Sequence, residues 1–376
     1  MLYSCNLFEN YIVYKHMNKQ RVLLRALSFI PGLGPISLLK IIKLYPNLEN
    51  LWLESNQQIA KTLNQNIANK ITAKIHRINP SDLEKNINST DIRYITILDK
   101  EYPGLLKEIY DPPIILYYKG DVQALAFKNK LAVVGARKMS TYGKQIIPHI
   151  LSPICPYKII IVSGMAIGVD GAAHQVAVNE NCPTIAVLGS GIDNNSLYPK
   201  QNIQLAEKII QNKGIIISEH PPGTRPQAEY FPRRNRIISG LCQASLIVEA
   251  AERSGSLITA YQALEQNRDV MAIPGNILLT NSLGTNKLLQ RGARPIVQSK
   301  DILDAYSIGQ MPPDKKIIKD LTLVEQNILS LLTDQNLTVD KLQQSSKIDI
   351  GQLNATLSIM EVKGLIKSSG GTYYSI

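Results

Sequence analysis

From Leu131 onward the chain alternates short, wholly apolar runs with longer amphipathic stretches, and this alternation limits its fold more than any other feature. The runs occupy 131–134, 159–162, 184–188, 214–217, 246–248 and 270–273, as in Leu131-Ala132-Val133-Val134. Between them, apolar residues at helical spacing predict helices over 142–152, 171–179, 201–211 and 257–266. A strand open to water on one face alternates apolar and polar residues. A run that is apolar throughout must be covered on both faces. Strand after helix after strand, with both faces covered, predicts an α/β fold built on a parallel, doubly wound sheet. Two lead-in strands, Tyr94 to Leu98 and Pro113 to Tyr118, precede the regular pattern, with Asp111-Pro112-Pro113 as an extended break.

The flanks read differently. Val22, Leu23, Ala26, Leu27 and Ile30 share a helical face, Pro31-Gly32-Leu33-Gly34-Pro35 breaks it, and Ser37 to Leu44 resumes it. This predicts a small helix-hairpin-helix (SAM-like) domain over 19–85. Its glycine turn is suited to a phosphate, but a plain αα-hairpin inside a helical domain is the preferred reading. Residues 1–18 have no clear period and are expected to be disordered, with translation starting at Met17. They lack the basic start and apolar stretch of a secretory signal. A Rossmann-like domain is expected over 90–306, followed by a linker over 307–319 with Gly309, Pro312 and Pro313. Three helical stretches and two short strands around Gly370-Gly371 then predict a winged helix over 320–376.

Charge is spread unevenly over these parts. The net charge is +11, but residues 128–304 carry 19 cations against 12 anions, whereas 305–376 carry 7 of each. The middle domain is therefore the part expected to face a polyanion. The winged helix lacks the cation excess that duplex binding requires, so it is expected to contact protein instead. Cys5, Cys155, Cys182 and Cys242 form no C-x-x-C pair, and the five histidines show no ligand spacing. Neither a metal site nor a disulfide framework is expected. No run is long enough to span a bilayer, so a cytoplasmic protein with no membrane partner is expected.

Ligands of doubly wound sheets bind beyond the carboxyl ends of the strands. After the first regular strand come Gly135, Arg137, Lys138 and Ser140: a close turn, two cations and a cap at a helix start. After the second, Ser163, Gly164 and Gly168 leave backbone N–H groups open to a phosphate, with Asp170 expected as a cap and His174 as a packed side chain. Gly189-Ser190-Gly191 lacks the rest of a dinucleotide fingerprint, so no cofactor is expected. The fourth strand leads into a long loop holding Phe231, Arg233, Arg234, Asn235 and Arg236. Arginine grips phosphate in a bidentate manner, and a neighbouring ring gives a base a stacking face. The alternative is a loop whose arginines pair with Glu219, Glu229 and Glu249. Ser254, Gly255 and Ser256 offer a further phosphate cradle at a helix start. No Ser/His/Asp or Cys/His spacing points to a nucleophile, so binding without catalysis is expected.

These segments, in this order, resemble the DprA (Smf) DNA-processing family. Arg233-Arg234-Asn235-Arg236-Ile237-Ile238 and Ser254-Gly255-Ser256-Leu257-Ile258-Thr259-Ala260 carry the likeness most specifically, and it covers nearly the whole middle domain. The resemblance implies an extended Rossmann-like domain that binds single-stranded DNA in a basic pocket, dimerises, and loads the RecA recombinase during natural transformation. It also implies that Arg137 and Ser140 hold phosphate together with the backbone around Ser163 and Gly164. Arg233, Arg234 and Arg236 would line the same groove, with Phe231 or Tyr230 stacking. Two other readings remain open: an enzyme of the phosphoribohydrolase kind, and a winged-helix transcription factor with a ligand-sensing core. Ser254-Gly255-Ser256 stands where the former has a doubled glycine, and the neutral tail counts against the latter.

Overall fold

A computed structural model describes residues 19–308, 322–333, 336–346, 348–362, 365–369 and 371–375. They belong to two compact units, Met1–Gly309 and Gln310–Ile376. The first is built on a nine-stranded sheet. Its strands are β1 (Arg93–Thr96), β2 (Ile115–Gly120), β3 (Lys130–Val134), β4 (Ile160–Ser163), β5 (Thr184–Leu188), β6 (Ile215–Ser218), β7 (Ala244–Ile247), β8 (Asp269–Ala272) and β9 (Arg294–Pro295). They lie in the order β1-β2-β6-β5-β4-β3-β7-β8-β9. From β6 to β9 every pairing is parallel, while β1 and β2 add an antiparallel edge. The chain winds outward from β3 through β6, then returns to lay β7 on the other side of β3. The winding direction reverses between β3 and β7, which is where a crevice opens in such sheets.

The unbroken apolar runs are explained by cover on both faces. Successive side chains of a strand point to opposite sides. Leu131 and Val133 pack with Ile147, Ile150, Val169 and Ala173, whereas Ala132 and Val134 join Ile237, Ile238 and Ala260. Helices Thr141–Leu151 and Val169–Asn179 thus cover one face, and Tyr230–Gly240 and Gly255–Glu265 the other. The helical front segment is continuous with this second core. Leu24, Leu27, Ile41 and Ile71 share a cluster with Leu116, Tyr117 and Ile217. Arg25 is buried at this junction, between the rings of Tyr94 and Tyr117, and donates to the Leu83 carbonyl at 2.8 Å.

The second unit holds helices Leu323–Thr333, Val339–Ser346 and Ile350–Val362 and strands β10 (Leu337–Thr338), β11 (Ile366–Ser369) and β12 (Thr372–Ser375). The strands lie in the antiparallel order β10-β12-β11, over a core of Ile328, Leu342, Leu353, Leu357 and Met360. Three helices and a terminal hairpin make the expected winged helix, with β10 as an added edge. The expectations for residues 1–18, including a start at Met17, lie outside the described residues, as does the expected linker beyond Ile308. Among the described residues no helix is long and apolar enough to cross a membrane, and no cluster of His, Cys, Asp and Glu is arranged to hold a metal ion.

Candidate nucleic-acid interface

A cleft of about 460 Å³ opens at the reversal point, beyond the carboxyl ends of β3, β4 and β7. Gly135, Ala136, Arg137 and Lys138 form one lip. Ala166 comes from the turn after β4 and Asp170 from the start of the Val169–Asn179 helix. Phe231, Arg234 and Asn235 come from the Tyr230–Gly240 helix, and Ser254, Gly255 and Ser256 from the start of the Gly255–Glu265 helix. Close approach of these segments depends on small residues. A Cβ on Gly135 would come within 2.6 Å of the Val169 side chain, and Gly168 takes a φ of +91° where a Cβ would strike the Ala136 and Arg137 carbonyls.

Arg234 is the electrostatic anchor of the cleft. Its side chain is buried, and its guanidinium donates to the carbonyls of Gly164, at 2.6 Å, and Val187. Burial brings its pKa down to about 10, opposed by Asp170, so it stays cationic at neutral pH. Asp170 accepts the Gly164 N–H at 3.2 Å, and burial pushes its carboxyl pKa up against the pull of Arg234. Arg137 and Lys138 are exposed above this layer. Among the described residues, no carboxylate oxygen lies within 4.0 Å of Arg137, Lys138 or Arg234. The Arg137 guanidinium lies 5.5 Å from the Phe231 ring centre, and the Tyr198 ring lies 5.6 Å from the same centre. Ile167, Tyr198, Pro199 and Phe231 bound a mostly apolar recess of about 200 Å³ beside the cleft.

Several residues take other places than the sequence suggested. The arginine run is the first part of a helix, not a loop, and helical geometry divides it. Phe231, Arg234 and Asn235 stand three and four residues apart and face the cleft. Arg233 and Arg236, also three apart, face elsewhere. Arg236 is buried between Asp111, at 2.9 Å, and Glu219, at 2.5 Å, so its charge is already neutralised. Arg233 is exposed beside Glu219 and His220. Neither lines the cleft.

Ser140 and Ser163 are likewise engaged within the fold. Ser140 caps the Thr141–Leu151 helix by accepting the Gly143 N–H at 3.1 Å, and its hydroxyl donates to Glu249. The Ser140 N–H donates to the other Glu249 oxygen at 2.9 Å. Ser163 is buried and donates to the Val133 carbonyl at 2.6 Å. The Gly164 N–H is given to Asp170, so this donor of the turn after β4 is already engaged within the fold. Asp170 is the second residue of its helix and braces the preceding turn, while Gly168 occupies the cap position. His174 is packed, with Nδ1 2.9 Å from the Thr184 hydroxyl, and burial holds its pKa near 3.

At the remaining cradle, Ser254 caps the Gly255–Glu265 helix, accepting the Ser256 N–H at 3.3 Å, and Gly255 meets nothing at its open side. Two asparagines that the sequence did not single out hold the lips. Asn281 donates to the Lys138 carbonyl and Asn202 to the Met165 carbonyl, at 2.9 and 2.7 Å. No local pattern marks them, because their partners lie 143 and 37 residues away.

Known proteins share this architecture. Residues 93–307 match the family model of DNA recombination-mediator protein A, and 312–372 match the DprA winged helix domain. DNA processing protein DprA of Bacillus subtilis is 40% identical over 276 residues, spanning 72% of this chain and 90% of that protein. Protein Smf of Synechocystis is 30% identical across 95% of this chain and 99% of its own length. The X-ray structure of DprA from Streptococcus pneumoniae superposes with a TM-score of 0.65 at 36% identity, covering 75% of this chain and 95% of that one. DprA from Helicobacter pylori, whose structure addresses its single-stranded DNA binding mode, covers 57% of this chain and 96% of its own, with a TM-score of 0.51 and 29% identity. With its central sheet, its winged helix and most of its length matched, the chain belongs to the DNA recombination-mediator protein A family, the DprA/Smf DNA-processing proteins.

Proposed function

We propose that this protein binds single-stranded DNA in the cleft between β3 and β7 and carries out no bond-making step there. One observation carries the reading: Arg137, Lys138 and Arg234 converge on one cleft without a carboxylate within 4.0 Å among the described residues. Phosphates neutralise such cations, and the Phe231 face suits a base. The family relative from Helicobacter pylori, studied for its single-stranded DNA binding, supports the same assignment. The side chains with acid–base capacity nearby are engaged within the fold: Asp170, on the cleft wall, accepts the Gly164 N–H. His174 is buried with its pKa near 3, Glu249 holds Ser140, and Glu252 pairs with Lys287. In this reading the protein acts as a cytoplasmic homodimer that protects incoming strands and passes them to RecA during natural transformation.

Fluorescence anisotropy with labelled oligothymidine tests the cleft. R137A/K138A is expected to weaken binding alike for all sequences, because phosphate contacts carry no base information. Unchanged binding at moderate salt would remove the cleft from consideration. Addition of RecA to the loaded strand should speed filament assembly, and incubation with nucleoside monophosphates should release no free base.

A further inference from the structure

On the far side of Arg137 and Lys138 a second groove, of about 620 Å³, runs away from the cleft. It lies over three helices. The middle one, Val169–Asn179, contributes the small residues Gly171 and Ala172 and then Gln175, so the groove stays open along it. The outer two contribute Lys144, from the first turn of Thr141–Leu151, and Lys208, from Ile203–Gln211. Gln201, Gln204 and Lys208 stand three and four residues apart, so one face of the outer segment points amides and an ammonium the same way. No acidic residue lines the groove. Among the described residues, neither Lys144 nor Lys208 has a carboxylate within 4.0 Å. At the junction, Ile167 is 47% exposed and borders both this groove and the apolar recess beside Phe231.

We propose that the groove is a second subsite for the same strand: a single-stranded polynucleotide leaves the cleft over Arg137 and Lys138, packs a base on Ile167, and runs its phosphates between Lys144 and Lys208. This rests on the reading of the cleft as a single-strand site. A free phosphate or mononucleotide would not need cations on both sides of an open channel, nor an exposed aliphatic side chain between them. A duplex is disfavoured because the site holds separated bases against Phe231 and Ile167.

The test is a length series of oligothymidines, tetramer to dodecamer, measured by anisotropy over a range of salt with wild type, K144A/K208A and R137A/K138A. Circular dichroism confirms that the exposed lysine variant is folded. The expected result is that K144A/K208A binds the tetramer as wild type does but loses the gain in affinity with length. Its slope of log K against log salt on the dodecamer should be shallower by about 1.4, since each single-strand phosphate contributes about 0.7. A dodecamer slope and length dependence equal to wild type overturns the proposal. The cleft fails separately, through tetramer binding that R137A/K138A leaves unchanged. Weakening of the tetramer and the dodecamer by the same factor in K144A/K208A also overturns the proposal, because the lysines would then act only as general field charges.

Discussion

At the scale of single residues, the cleft turns on the contact between Gly164 and Arg234. A Cβ at position 164 would stand 2.5 Å from the guanidinium, whose far end is buried and tied to two carbonyls and so has nowhere to move. Gly164→Ala is therefore expected to displace the guanidinium and leave carbonyls unpaired, each costing about 1–3 kcal/mol. Urea denaturation should show the loss, and anisotropy should show weaker DNA binding. A variant matching wild type in both would mean that the guanidinium has room elsewhere. His174, one layer below, links the same region to pH. Its folded pKa is about 3, against 6.5 for a free imidazole. Between those values the unfolded chain binds the extra proton, so stability falls as pH falls, by roughly 1 kcal/mol per pH unit, and is unaffected above the window. His174→Gln should flatten the pH profile of the urea midpoint across that window relative to wild type. Asp170, shifted upward by burial, contributes with the opposite sign but is common to both proteins and cancels. Equal slopes would show that the imidazole is not held neutral.

At the scale of elements, the Tyr230–Gly240 helix divides its arginines between two jobs, and the division can be measured. Arg236→Ala leaves Asp111 and Glu219 without their cation, and removing one member of a buried ion pair costs about 3–5 kcal/mol, less here because Asp111 is 39% exposed. A lower denaturation midpoint with an unchanged salt slope of DNA binding is expected. Arg137→Ala should do the reverse, and the opposite pattern would reassign the two faces. The sheet was legible in the sequence because burial on both faces leaves uninterrupted apolar runs such as Ile215-Ile216-Ile217, which few other environments produce. The arginine helix was not, because eight of its eleven residues, Tyr230, Pro232 to Arg236, Ser239 and Gly240, are polar or helix-breaking and resemble a loop. Pro232 in the first turn was the available signal, since proline is tolerated there. The direction of Arg236 could not be read locally. Its partners Asp111 and Glu219 are distant in sequence, and only the packing of β2 beside β6 brings their loops together. The serines misled for a related reason. Ser140 and Ser163 have the chemistry of phosphate ligands, but Glu249, just beyond β7, and the Val133 carbonyl of β3 already use it.

At the scale of the whole molecule, charge and core are partitioned between the two units. The first encloses its own apolar core and holds the cleft cations, whereas residues 305–376 carry 7 cations and 7 anions. Truncation after Ile308 is therefore expected to leave the salt slope of single-strand binding unchanged and its affinity within about twofold, since a neutral unit releases no net counterions. A large loss of slope on truncation would place phosphate contacts in the winged helix. The seating of Arg234 on the Gly164 and Val187 carbonyls has a kinetic consequence as well. Among the described residues the cleft cations have no ion pair that must break before a strand is admitted, and main-chain carbonyls already hold the guanidinium in place. Under the proposed function, strand capture is then expected to be a rigid encounter steered by long-range attraction. Its association rate is set by collision and ionic strength and keeps rising with protein concentration, while the dwell time is set by how many phosphates must let go at once.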